Sequence, residues 1–175
     1  LLEIKDLTID FQSESGTTRA VDGISLHLDR GETLGIVGES GSGKSVTALS
    51  VMRLLPMPPA RIVGGEIIYH RQDTAVDLLQ LPHPAMQRIR GADIAMIFQE
   101  PMTSLNPVFR CGHQVTEALQ LHRKMDYASA KSATLQLFER VKLPDPTRIF
   151  DAYPHQISGG QKQRVMIAMA MSCNS

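Results

Sequence analysis

Tryptophan is absent from this 175-residue chain, and cysteine occurs only twice. Cys111 and Cys173 are too few and too far apart for a disulfide framework or a C-x-x-C metal or redox site, which points to reduced thiols in a cytoplasmic protein. Net charge is also missing: 18 Lys and Arg balance 18 Asp and Glu. There is therefore no basic excess to attract nucleic acid or an anionic membrane surface. Runs of like charge, internal repeats and low-complexity tracts do not appear. No stretch approaches the roughly 20 apolar residues that span a bilayer, and the acidic, alternating segment at Leu1 is not a signal peptide. Any membrane role must come through a partner. The six His show no metal-ligand spacing.

What remains is a chain of one-domain length whose 42% hydrophobic content allows a real core. Leu2, Ile4, Leu7, Ile9 and Phe11 nearly alternate, with a slip at Lys5-Asp6, and predict an edge strand. Ser13-Glu14-Ser15-Gly16 is a turn, and a second strand follows from Ala20 to Leu28, bent at Asp22-Gly23. Thr33–Val37 and Ile94–Phe98 are short apolar runs that predict strands buried on both faces. Glu66–Tyr69 and Val76–Leu79 predict two more strands. Helices are expected over 46–55, closed by Pro56, Pro58 and Pro59, and over 85–90, 115–122, 128–141 and 160–172. Leu135, Phe138 and Val141 form the buried stripe of the fourth. Met166, Met169 and Met171 read as core filling. Arg164 stays open between a salt bridge and helix packing.

Gly38-Glu39-Ser40-Gly41-Ser42-Gly43-Lys44-Ser45 fits the P-loop pattern G-x-x-x-x-G-K-[ST]. Its glycines let successive backbone N–H groups converge on a phosphate. The following helix, beginning near Val46, adds free amides and the positive end of its dipole. Lys44 supplies a point charge to the β- and γ-phosphates. The Ser45 hydroxyl suits Mg²⁺, a hard cation. From average composition, four such fixed positions arise by accident in roughly one chain in 150 of this length. The preceding apolar run and the following helix argue against a flexible linker.

Ile157-Ser158-Gly159-Gly160-Gln161 is weaker evidence alone. A Ser N-cap before two glycines is common, although it opens a helix N-terminus to an anion. Together, the two motifs resemble the nucleotide-binding domain of ABC transporters, with Ser158-Gly159-Gly160-Gln161 as the signature motif and Ile157 where Leu is usual. Gln99, in Ile97-Phe98-Gln99-Glu100-Pro101, fits the family's Q-loop, and Phe11 occupies the place of its adenine-stacking aromatic. Phe98-Gln99-Glu100-Pro101-Met102-Thr103-Ser104-Leu105-Asn106-Pro107 and Tyr153-Pro154-His155-Gln156-Ile157-Ser158 are similar to the oligopeptide/dipeptide importer branch. Arg90–Ile97 and Val165–Ala170 are closest to its glutathione-importer ATPases.

The resemblance implies an α/β fold with a RecA-like P-loop core, an antiparallel β subdomain and an inserted α-helical subdomain. The β subdomain and P-loop core would take residues 1–98, the helical subdomain 99–161 and the signature helix 162–175. It implies ATP and Mg²⁺ as ligands, with Phe11, Gly38–Val46 and Ser158–Gln161 binding nucleotide, Lys44 and Gln99 acting in catalysis, and Ser45 and Gln99 on the metal. It further implies a peripheral subunit on the cytoplasmic face of the plasma membrane. Its partners would be permease subunits, a second ATP-binding subunit and, indirectly, a solute-binding protein. On the family pattern the fold is C-terminally incomplete: the Asp for Mg²⁺, the catalytic Glu and the switch His would follow Ser175. Hydrolysis by these residues alone is not expected, and apolar surface should be exposed around the two core strands. A rival reading is a soluble ABC-type ATPase of DNA repair or translation. The missing basic face and the 100–107 block speak against it.

Overall fold

The computed structural model describes residues 1–71, 74–98 and 104–172. It divides into two compact units, Leu1–Met86 and Gln87–Ser175. Both helix and antiparallel sheet are present, as the α/β expectation requires.

In the first unit, β1 (Leu2–Ser13), β2 (Gly16–Leu28), β3 (Ala60–Arg71) and β4 (Thr74–Asp77) form one antiparallel sheet in the order β2-β1-β3-β4. A two-residue turn at Glu14-Ser15 joins β1 to β2, with Ser13 opposite Gly16. The expected edge position of β1 is overturned. Its ladder is used on both sides, by β2 and by β3, and this central place explains the complete burial of Leu7 and Ile9. The slip at Lys5-Asp6 is a bulge. Asp6 has φ 48, its N–H donates to Ser25 Oγ (2.9 Å), and the register shifts between Ile4 and Leu7 so that both stay in the core. Between Arg19 and Val21 the β2 register shifts again, leaving two β2 residues, Ala20 and Val21, against Ile9.

Helix α1 (Lys44–Val51) is shorter than expected, and α2 (His83–Ile89) ends just before Gly91, whose φ is +80. The fourth strand falls at Thr74–Asp77, not at Val76–Leu79; Leu78 is fully buried beyond its end.

Two strand expectations fail outright. Thr33–Val37 and Ile94–Phe98 are not in any sheet; the second holds only an isolated parallel bridge between Arg90 and Ile94. Leu34, Ile36 and Val37 are exposed, as are Ile97 and Phe98, and Val37 reaches 93%. Apolar runs of this kind become buried strands only when ladders form beside them and layers cover both faces. Among the described residues no strand pairs with either run beyond that one bridge.

The second unit is helical: α3 (Cys111–Arg123), α4 (Tyr127–Arg140), α5 (Pro146–Asp151), a 3₁₀ turn (Pro154–Gln156) and α6 (Gly159–Met171). Two of these starts carry acidic side-chain caps. Asp126 and Asp145 accept from the amides of Ser129 and Arg148 (2.9 and 3.1 Å), and the Ser129 amide holds the Asp126 carboxyl below its ordinary pKa. The shared core contains Val115, Phe138, Ile149, Phe150 and Val165. Arg164 proves to be neither salt bridge nor simple packing: its guanidinium donates to the carbonyls of Val141 and Lys142, just past the end of α4. Cys111 is buried at the start of α3, and desolvation pushes its thiol up to about 11. It is therefore a packing residue, not a reactive thiol.

Gly112 is the tightest point of this core. A Cβ there would overlap the ring of Phe150. The substitution Gly112→Ala should therefore cost about 1–3 kcal/mol through overpacking. In urea denaturation the midpoint should fall with the slope unchanged; an unaltered midpoint would show that Phe150 can move aside.

Candidate functional site

The P-loop occupies Gly38–Ser45, entering α1 at Lys44. Gly43 is the residue before the helix, with φ 86 and ψ 0, a left-handed conformation. It also lies hard against β2. A Cβ at Gly43 would fall 2.5 Å from the carbonyl oxygen of Ala20 and 3.2 Å from Cγ2 of Val21. The β2 irregularity at Ala20 thus forms the floor on which the loop rests. Ala20 and the residues Gly41–Val46 line a concavity of about 210 Å³.

Lys44 turns inward over this loop. Its ammonium donates to the carbonyls of Gly38 (2.8 Å) and Glu39 (2.6 Å) and to Ser42 Oγ (3.1 Å). These use all three of its donors. Glu39, Ser40 and Ser45 are exposed, and Ser45 opens onto the concavity with a hydroxyl oxygen. Val46 is half-buried, and its carbonyl accepts from Ser50 Oγ at 2.6 Å. The Ser45 hydroxyl fits a hard cation held beside a bound phosphate.

Phe11 lies in β1, half-buried, opposite Thr18 of β2 and Ala60 of β3. It does not line the P-loop concavity. It does share a sheet face with Thr18, and the bulge carries that face on to Ala20, which lines the concavity. In the sequence Ala20 and Val21 show only as strand residues; their role as floor depends on a register shift that no residue pattern announces.

In the second unit the Ser158 motif starts α6 with a complete capping box. The Gln161 amide donates to Ser158 Oγ (3.3 Å), and the Ser158 amide donates to Gln161 Oε1 (2.9 Å). Gly159 and Gly160 are exposed, and a Cβ at either would meet nothing within 4 Å. The first turn of a 13-residue helix is therefore open to a ligand at its backbone. Gln99 lies outside the described residues.

Comparison with known proteins agrees with this picture. The family model described as "ABC transporter" matches residues 21–175. The oligopeptide transport ATP-binding protein OppD of Bacillus subtilis is 49% identical over 99% of this chain, and the glutathione import ATP-binding protein GsiA of Pectobacterium atrosepticum is 49% identical over the same share. The chain spans 48% of the first relative's length and 28% of the second's. Among solved structures, the dimeric bacterial ABC transporter cassette MJ0796 superposes with a TM-score of 0.86 at 25% identity, covering 99% of this chain and 70% of that one. A post-hydrolysis state of the same cassette, bound to ADP and Pi, gives 0.85.

The floor contact generates a prediction. Gly41 and Gly43 both have positive φ, but a Cβ at Gly41 would meet nothing within 4 Å. Gly41→Ala should cost only its backbone strain, about 1–2 kcal/mol. Gly43→Ala should cost more, because the methyl must also displace the Ala20 carbonyl. Urea midpoints of the two variants measure the difference; equal midpoints would mean that the loop does not bear on β2.

Proposed function

This chain belongs to the ABC transporter family, and we propose that it forms the nucleotide-binding part of an importer's ATP-binding subunit. The cargo would be short peptides or glutathione. The observation that carries the reading is the P-loop concavity, lined by Ala20 and by Gly41–Val46 at the start of α1, with the Lys44 ammonium folded over the loop. That set of groups suits a polyphosphate. Transport, as opposed to DNA repair or translation, is supported by relatives that are named for oligopeptide transport and glutathione import, and by a chain without excess positive charge.

In this reading the β subdomain and P-loop core occupy residues 1–98, the helical subdomain 99–161 and the signature helix 162–175. The Gly41–Lys44 amides and the Lys44 ammonium hold the β- and γ-phosphates, and Phe11 stacks on adenine. Ser45, with Gln99, holds Mg²⁺, which when bound neutralises phosphate charge. Ser158, Gly159, Gly160 and Gln161 receive the γ-phosphate of a nucleotide on a second subunit, so that ATP binding closes a two-subunit sandwich. Closure is passed through the Gln99 loop to permease subunits, with a solute-binding protein acting on their far side. The subunit sits peripherally on the cytoplasmic face of the membrane. No described helix is long and apolar enough to cross it.

Two substitutions test the nucleotide site. Lys44→Ala removes the cradle's charge. Charge-assisted contacts to phosphate are worth about 1.5–3 kcal/mol each, so calorimetry should show MgATP affinity falling at least about tenfold. Unchanged affinity would refute the phosphate assignment. Phe11→Ala should weaken ATP by about 1–3 kcal/mol, as for base–aromatic stacking elsewhere, while sparing inorganic tripolyphosphate. Equal losses for both ligands would make Phe11 a core residue.

A further inference from the structure

A polar side chain outside the P-loop faces the proposed base platform across the ladder. Phe11 sits directly opposite Thr18 in the β1–β2 ladder, and the neighbouring pair is Asp10 opposite Arg19. Successive residues of a strand point to opposite faces, so Phe11 and Thr18 share one face while Asp10 and Arg19 share the other. The contacts agree with this. Arg19 is held on its own face by two carboxylates, Asp10 and Asp22, each at 3.0 Å. The only cationic side chain on this stretch of β2 is thereby turned away from Phe11.

The register shift after Arg19 extends the Phe11–Thr18 face. Ala20 and Val21 together stand against Ile9, which lies on the same side as Phe11. That is the side on which Gly43 packs and on which Ala20 lines the phosphate concavity. From Ala20 back to Thr18 is two residues, about 7 Å of strand. A nucleotide whose phosphates lie over Gly41–Lys44 and whose base reaches Phe11 must pass its sugar along this interval. Thr18 is exposed there and brings a hydroxyl that can donate or accept.

We propose that Thr18 is a specificity residue that hydrogen-bonds the ribose 2′-hydroxyl of the bound nucleotide, so that β2 distinguishes ribonucleotides from deoxyribonucleotides. The proposal rests on the reading of Gly38–Ser45 as the phosphate site and Phe11 as the base platform. A neutral hydrogen bond of this kind contributes about threefold to tenfold in affinity.

The test is equilibrium dialysis of the 175-residue chain with MgATP, Mg-2′-deoxy-ATP and inorganic tripolyphosphate, for the native sequence, Thr18→Val and Thr18→Ser. The native chain should prefer ATP to deoxy-ATP by about threefold to tenfold. Thr18→Val, which keeps the branched shape beside Phe11, should bring ATP down to the deoxy-ATP level and leave deoxy-ATP and tripolyphosphate unchanged. Thr18→Ser, which restores the hydroxyl, should restore the preference. The proposal is overturned if the native chain shows no preference, if Thr18→Val retains it, or if Thr18→Val weakens ATP and deoxy-ATP alike. Failure of the underlying reading has a different signature: the native chain would then bind none of the three ligands, and the proposal would fall with it.

Discussion

The phosphate loop of the first unit turns on one close approach, the seating of Gly43 against Ala20 and Val21. The Lys44 ammonium ties the loop to itself through Gly38, Glu39 and Ser42, and the rest of its rigidity has to come from outside the loop. Here it comes from the backbone of β2, at the place where two of its residues share a single partner on β1. The β1 strand is itself fixed on both edges and buries Ile4, Leu7 and Ile9. A chain of constraint therefore runs from an apolar core, through a strand irregularity, to a glycine that no other residue could replace without moving the carbonyl beneath it.

The same contact marks the border between what the residues announce and what they do not. The P-loop was legible because phosphate chemistry dictates particular residues at particular spacings. The start of α6 was legible because Ser158 carries the capping oxygen that the first turn needs; α5, which Asp145 caps, was not, since no helix is expected over 146–151. The slip at Lys5-Asp6 was legible as a break in alternation, and it became a bulge. Strand order was not legible. Alternation reports which face of β1 is buried and is silent about how many neighbours it has, so by its residues alone a central strand looks like an edge. The floor at Ala20 was hidden for the same reason, because it depends on pairing, which no local pattern records.

Thr33–Val37 and Ile94–Phe98 fail differently. Their composition is that of interior strands, and the reading of residue type was sound. Burial, however, is a property of the surroundings. Leu34, Ile36, Val37, Ile97 and Phe98 remain open because the described strands do not extend a ladder along them. Local sequence supplies the willingness to be a strand, and only neighbours make one.

The two candidate anion sites differ in what occupies them before a ligand arrives, and this sets how each can work. At the P-loop the Lys44 ammonium already spends its three donors on Gly38, Glu39 and Ser42. A phosphate must exchange at least one of those bonds, so binding there includes a local rearrangement and gains less than the bare charge would suggest. At the start of α6 the capping box satisfies Ser158 and Gln161 against each other. It leaves the backbone of Gly159 and Gly160 standing open, with no side chain to move. The first site has charge and must reorganise; the second has no charge and need not.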